Sequence, residues 1–386
     1  MTLLFIIITV LYLILIGSFA FGFDKVIDFK LEDIKPKTGF SVVIPFRNEA
    51  ENLAALLTSI AELNYPRNLF EIILVDDASE DDSVKIIEHI LDKKTFANNF
   101  SQTNYKNIQI KIIQNNRTSL SPKKDAITSA IKTAKNDWII TTDADCELPK
   151  YWLDSFDAFI QRNKSILIVA PVTYQKINGF LGRFQLLDFL SLIGATIGGF
   201  GIKNPFLCNG ANLAYSKAFF KKANGFNGNT TIASGDDIFL LEKALKEDKK
   251  SVHFLKSEHS IVRTIPQNSW SDLIAQRKRW AAKTSSYNSV FGKLTGVLVL
   301  LMNATIICAF IFALIGEISP KLFIYIFIIK CCIDFLLLFK TSLFFNQGRY
   351  LNSFIFSSLL YPFFNVYVAS ISLFTSYKWK GREFRK

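Results

Sequence analysis

From Thr2 to Phe23 the chain runs without a single charge. At about 1.5 Å of rise per residue, a helix of that length crosses a hydrocarbon core about 30 Å thick. Part of this chain therefore belongs in a bilayer, and the run reads as an anchor helix (residues 1–23). A signal peptide fits less well, because no Lys/Arg-rich segment precedes the run and it outlasts a cleavable apolar core. Two further runs, Leu294 to Gly316 and Leu351 to Tyr377 with Pro362 inside it, are also long enough to cross. Between them, Leu322 to Phe345 contains Lys330 and Asp334. A charge at the bilayer centre costs about 2.5 to 3.5 kcal/mol on insertion scales, but their i,i+4 spacing lets the two pair on one helix face.

Three crossings after a cytoplasmic domain would leave the basic tail, Tyr377 to Lys386, outside, against the positive-inside rule. One C-terminal segment is therefore expected to lie in the interface or re-enter. The run from Leu186 to Ile202, broken by Asp188 and by Gly198-Gly199, reads as too short and kinked to span, and as lying on the bilayer surface. These segments set the expected organisation: anchor 1–23, globular domain 24–290, membrane helices 291–377 and basic tail 378–386.

Half of the 386 residues are hydrophobic, 37 of them Phe, which leaves room for one ordinary globular domain beside the membrane helices. Lys and Arg outnumber Asp and Glu by 45 to 33. The excess is scattered and no nucleic-acid motif accompanies it, so it reads as cations facing anionic headgroups, worth about 1 kcal/mol each, with no nucleic acid as partner. The five cysteines form no CxxC pair, so neither a disulfide framework nor a zinc site is expected.

Residues 40–145 alternate strand and helix. Phe40 to Pro45, Phe70 to Asp76, Asn107 to Ile113 and Trp138 to Thr142 read as strands. Glu49 to Ala61, Asp81 to Leu91 and Lys123 to Ala134 read as helices, and Lys93 to Asn107 as a polar loop. This is the α/β class, a mixed or parallel sheet with helices on its faces. Ligands bind beyond the carboxyl ends of such strands. Three strands end at polar clusters there: Pro45-Phe46-Arg47-Asn48-Glu49, Asp76-Asp77-Ala78-Ser79 and Asp143-Ala144-Asp145.

Asp143 and Asp145 bracket one alanine, so an extended backbone points both carboxylates the same way. Such a pair suits Mg²⁺ or Mn²⁺, whose remaining ligands come from substrate phosphates. Asp76 and Asp77 also suit the cap of the following helix, with Ser79 as an alternative N-cap. Further along come Gly235-Asp236-Asp237, an acidic helix start, and Gln276-Arg277-Lys278-Arg279-Trp280, a basic helix with an aromatic anchor.

The order and spacing of these clusters over residues 40–285 resemble family 2 inverting glycosyltransferases with a GT-A (Rossmann-like) fold, in the membrane-attached branch with a QxxRW motif. The resemblance implies that Asp145, assisted by Asp143, binds the metal. It also implies that Pro45, Arg47, Glu49, Asp76, Asp77, Lys123, Asp143 and Arg279 line the nucleotide-sugar site. Lys123 stands in a GKxxA-like segment where Pro122 replaces glycine. Asn209, Gly210, Asp236, Gln276 and Trp280 would then face the acceptor, and Asp237 would be the general base. Arginine suits a diphosphate, and an indole face suits a sugar.

The expectation is a metal-dependent hexosyltransferase of the cell (inner) membrane, its catalytic domain cytoplasmic and in contact with membrane lipids. It would move a sugar from a nucleotide diphosphate, a UDP-sugar by resemblance, to a lipid or lipid-linked hydroxyl. The alternatives are a processive polysaccharide synthase with a saccharide acceptor and, outside enzymes, a membrane transport or scaffold protein.

Overall fold

A computed structural model describes residues 1–91, 108–230, 235–282, 287–374, 377–379 and 382–384. The polar loop expected at residues 93–107 lies outside the described residues, as do parts of the basic tail. The helices in chain order are α1 (Thr2–Lys25), α2 (Ala50–Ala61), α3 (Ser83–Leu91), α4 (Pro122–Thr133), α5 (Trp152–Arg162), α6 (Gly179–Gly201), α7 (Lys217–Lys222), α8 (Asp236–Asp248), α9 (Trp270–Ala282), α10 (Val290–Leu314), α11 (Pro320–Phe344) and α12 (Phe354–Phe374). The strands are β1 (Phe40–Phe46), β2 (Phe70–Asp76), β3 (Gln109–Gln114), β4 (Trp138–Thr141), β5 (Leu167–Val169), β6 (Val172–Tyr174), β7 (Leu213–Ser216), β8 (Val252–Phe254), β9 (Val262–Thr264), β10 (Tyr377–Trp379) and β11 (Arg382–Phe384). The chain divides into two compact units. Residues 28–173 and 208–265 form a sheet unit, and residues 1–27, 174–207 and 266–386 a helical unit.

The sheet unit is built on seven strands in the order β3-β2-β1-β4-β7-β5-β8. β1 runs parallel to β2 and β4, β2 parallel to β3 and β5 parallel to β8, while β7 is antiparallel to both its neighbours. Val42, Val43 and Ile44 of β1 and Ile72 to Val75 of β2 are fully buried. That is the mark of strands covered on both faces, and it explains their unbroken apolar sequence. The order sets the carboxyl ends of β3, β2, β1 and β4 side by side, which is where the site forms. Pro122 is the first residue of α4, where its missing N–H has no helical partner to lose, so it starts the helix that carries Lys123.

In the helical unit, α1, α6, α10, α11 and α12 with its lead-in from Gly348 are long and apolar enough to cross a membrane. One stripe of α1, Phe5, Ile8, Tyr12, Ile16 and Phe19, is buried in the unit's core, while Leu3, Ile7, Leu11 and Ile14 are exposed. Lys330 pairs with Asp334 at 2.6 Å as their spacing predicts, and Tyr12 donates to the same carboxylate at 2.7 Å. The described part of the tail pairs β10 with β11 in antiparallel register.

The expectation for Leu186 to Ile202 needs correction. This run lies in α6, 23 residues long and unbroken through Gly198-Gly199. The glycines serve close packing rather than a kink: a Cβ on Gly198 would strike the backbone of Phe19, and one on Gly201 the backbone of Gly22. Gly198→Leu should therefore push α1 from α6 at a cost of about 1–3 kcal/mol, seen as a lower unfolding midpoint in detergent. Gly296→Ala, where a Cβ meets nothing within 4 Å, should leave the midpoint unchanged or higher.

Candidate active site

Lys123, in the first turn of α4, reaches across the sheet's carboxyl edge. Its Nζ lies 2.6 Å from Asp143 Oδ1 and 3.5 Å from Asp236 Oδ2. Burial works against its charge, but Asp143 and then Asp236 outweigh that penalty and hold the ammonium above the usual lysine range. Asp236 and Asp237 open α8, and Gly210 sits against both. A Cβ there would come 3.0 Å from Asp236 Oδ2, 3.5 Å from Asp237 Cβ and 3.6 Å from Lys123 Nζ. The Gly210 N–H donates to Asp237 Oδ2 at 3.3 Å and its carbonyl accepts from Thr141 at 2.8 Å. Asn209 is spent on the same turn, accepting from the Ala211 N–H. Asp236 is buried, whereas Asp237 is partly exposed.

Asp143-Ala144-Asp145 is a turn, not the extended segment expected. β4 stops at Thr141, where its pairing with both neighbours ends, and the Cys146 N–H bonds back to the Asp143 carbonyl at 3.2 Å. Aspartate suits the first position of such a turn. The two carboxylates still act on one another. Burial, followed by repulsion from Asp143 and from Glu49, pushes Asp145 up to about 6, with a hydrogen bond from Thr264 pulling the other way. The described residues contain no group of three His, Cys, Asp or Glu arranged as a ready metal cage. A crowded carboxylate pair open to substrate does fit a hard cation that takes the rest of its ligands from phosphates.

The β1 and β2 ends are tied to each other. Arg47 donates to the Asp77 carbonyl at 2.9 Å, contacts the Ala78 carbonyl and pairs with Glu80 at 2.7 Å. Asp76 accepts from the Ser79 N–H at 2.9 Å in a local turn, and α3 starts only at Ser83, so neither Asp76 nor Ser79 caps it. Pro45 lies within β1, and Glu49 accepts from Asn52 at 2.7 Å. Asp77 accepts from Arg117 Nε at 2.6 Å and from Asn115 at 2.7 Å. Sequence reasoning missed these last two residues. Both follow the end of β3, and the strand-end rule that singled out the other clusters applies to them equally.

Gln276, Arg279 and Trp280 belong to the helical unit, on α9. In that unit the buried member of the motif is Arg277, to which the sequence assigned no role. Its Nε donates to Asp188 of α6 at 2.6 Å and its guanidinium lies over the Trp280 ring, 4.2 Å from the centroid.

Residues 41–246, just over half of the chain, match the family described as Glycosyl transferase family 2. The chain belongs to that family, and its fold is GT-A. It is 28% identical over 144 residues to the poly(ribitol-phosphate) beta-N-acetylglucosaminyltransferase TarS of Staphylococcus aureus, covering 37% of this chain and 22% of that relative. To the poly-beta-1,6-N-acetyl-D-glucosamine synthase of the same species it is 24% identical over 189 residues, 47% of this chain and 41% of the relative. The chain thus spans less than half the length of these curated relatives. Among solved structures, the mannosyltransferase PcManGT from Pyrobaculum calidifontis shares the fold, with a TM-score of 0.57 at 15% identity over 93% of this chain and 98% of that one.

The crowding at Asp145 has a measurable sign. A carboxyl raised in the folded state binds its proton where the unfolded chain has lost it, so folded stability falls as pH rises from about 4 to about 6 and stays lower above. Asp143→Asn should bring Asp145 down toward the usual carboxylate range and remove part of that loss. Carbon-13 NMR of the carboxyl resonance that disappears in Asp145→Asn, in chelator, would read this; an unmoved titration in Asp143→Asn would contradict it.

Proposed function

We propose that this chain is a membrane-attached inverting glycosyltransferase of the QxxRW branch, moving a sugar from a nucleotide diphosphate to a lipid or lipid-linked hydroxyl. The observation that carries the reading is the unequal setting of two adjacent acids. Asp236 is buried against Lys123, while Asp237 is partly exposed beside Gly210. A general base must reach a substrate hydroxyl, and the partial exposure of Asp237 supports that role for the second acid.

In this reading Asp237 takes the proton of the acceptor hydroxyl as its oxygen bonds the anomeric carbon. The bond to the diphosphate breaks on the opposite side, and its electron pair leaves with the phosphate. A divalent cation held by Asp145 and Asp143 would neutralise charge on that leaving group. The pair Asp76 and Asp77, the latter braced by Arg117 and Asn115, reads the nucleotide base and ribose. Arg47 and Glu49 shape the same pocket. The assignment of Arg279 to the diphosphate, and of Gln276 and Trp280 to the acceptor, rests on the motif.

PcManGT is solved in complex with GDP-Man and Mn2+, and the names of both curated relatives contain N-acetylglucosamine. These support a metal-assisted nucleotide-sugar reaction, with a UDP-sugar as the first donor to test and GDP-mannose as the second. The long apolar helices support attachment to the cell membrane, with the sheet unit, residues 28–173 and 208–265, on the cytoplasmic side where nucleotide sugars are made. Labelling of cysteines placed in that region, by an impermeant reagent on intact cells, would refute this orientation. The polysaccharide synthase among the relatives favours a growing polymer as the second candidate acceptor.

Mass spectrometry of products formed from a donor panel, with native lipid extract or oligosaccharide as acceptor, separates the two. Asp237→Asn should lose about 10²- to 10⁴-fold in turnover while UDP still binds in Mn²⁺. Asp236→Asn should lose less. A dead Asp236→Asn beside an active Asp237→Asn would reverse the assignment.

A further inference from the structure

Within the helical unit, one buried ion pair ties the motif helix to an apolar helix that contributes no other acid. Asp188, 7% exposed, and Arg277, 6% exposed, meet at 2.6 Å through a single Nε–Oδ2 contact. Of its other contacts, one is with Tyr174 of β6 and two lie inside the motif. Its Nη1 donates to Gln276 Oε1, and its guanidinium lies on the Trp280 ring, one turn further along the same helix face. Tyr174 donates to the same Gln276 oxygen at 3.5 Å. Phe189, the neighbour of Asp188 on α6, stands 6.1 Å from the Trp280 ring centroid, tilted by 42°. The indole is thus set by the two consecutive residues Asp188 and Phe189, one acting through Arg277 and one directly.

Stability does not account for this pair. Removing both charges from water is costly, and well-packed apolar residues commonly serve a helix contact as well or better. Nor is the guanidinium saturated as a structural tie, since its buried Nη2 has no hydrogen-bond partner. What the pair does supply is direction: an arginine plane fixed at one end by a carboxylate holds the aromatic ring against it in one orientation.

We infer that Asp188 is a positioning residue for the Gln276–Trp280 motif, fixing through Arg277 the orientation in which Trp280 meets the acceptor. This rests on the proposed function, in which Trp280 faces that substrate. With Arg277 on one face of the indole, the opposite face is the one presented.

The test compares the full chain in lipid nanodiscs with the double variant Asp188→Leu/Arg277→Met, which removes both charges and keeps an apolar helix contact. Three quantities are read: the unfolding midpoint, the acceptor KM, taken as the half-saturating concentration of native lipid extract as acceptor, beside the UDP affinity in Mn²⁺, and the fluorine resonance of fluorotryptophan at Trp280, assigned by its loss in Trp280→Phe. The double variant should keep its midpoint and its UDP affinity. Its acceptor KM should rise about 10- to 100-fold, the scale on which small misplacements act, and its Trp280 resonance should shift or broaden. A folded double variant with parental acceptor KM and parental resonance overturns the inference. Should that variant not fold, Asp188→Asn is read by the same criteria. Trp280→Ala separates the two layers: unchanged acceptor KM there sinks the acceptor role of the motif, while the fluorine signal still decides whether Asp188 orients the ring.

Discussion

Lys123 is the interaction on which the sheet unit's site depends. Its ammonium lies between Asp143, just past the end of β4, and Asp236, at the start of α8, so one cation ties the neighbouring elements α4 and β4 to the distant α8. Without it, two carboxylates would face each other in a partly buried setting, where opposing charge interactions are poorly screened. The tie also dictates its neighbour. Gly210 passes so close to Asp236 that a Cβ would press on its carboxylate, while Asp237 and Lys123 stand at ordinary contact distance. Asp145 lies outside the tie, keeps its repulsion from Asp143 and Glu49, and is the carboxyl raised to about 6. Charge is thus balanced at one end of the acidic corner and left in excess at the other.

Much of this corner was legible because strand ends are legible. Phe40–Phe46 and Phe70–Asp76 are apolar runs that stop at polar residues, and the parallel order β3-β2-β1-β4 brings those stops to one edge. The local geometry was less readable. Asp143-Ala144-Asp145 turns because β4 loses its partners at Thr141, a fact about pairing that spacing does not carry. Arg117 and Asn115 are as well placed as the residues the sequence singled out. They sit in a polar stretch, Gln114 to Arg117, that lacks the paired acids of the other strand ends and so gives a weaker signal.

In the helical unit the sequence spoke clearly only where partners are local. Lys330 and Asp334 are four residues apart and pair as that spacing allows. Asp188 finds Arg277 across 89 positions, so in a hydropathy reading it could register only as a defect in an apolar run. The glycines of α6 carry the same ambiguity. A Gly-Gly pair can loosen a helix or let another backbone approach, and only the position of α1 against Gly198 and Gly201 decides for approach.

The contrast between Asp236 and Asp237 follows from helix phase alone. Consecutive residues on an α-helix point about 100° apart, so once α8 begins at Asp236 the two carboxylates point in different directions, although Gly210 lies against both residues. The first turns inward to Lys123, and the second, held by the Gly210 N–H, turns to the open side. A shift of α8 by one residue would exchange their settings and leave the exposed acid without its backbone donor. In the proposed mechanism the start of this helix therefore matters as much as either acid, and the Lys123–Asp236 pair is one of the contacts made there.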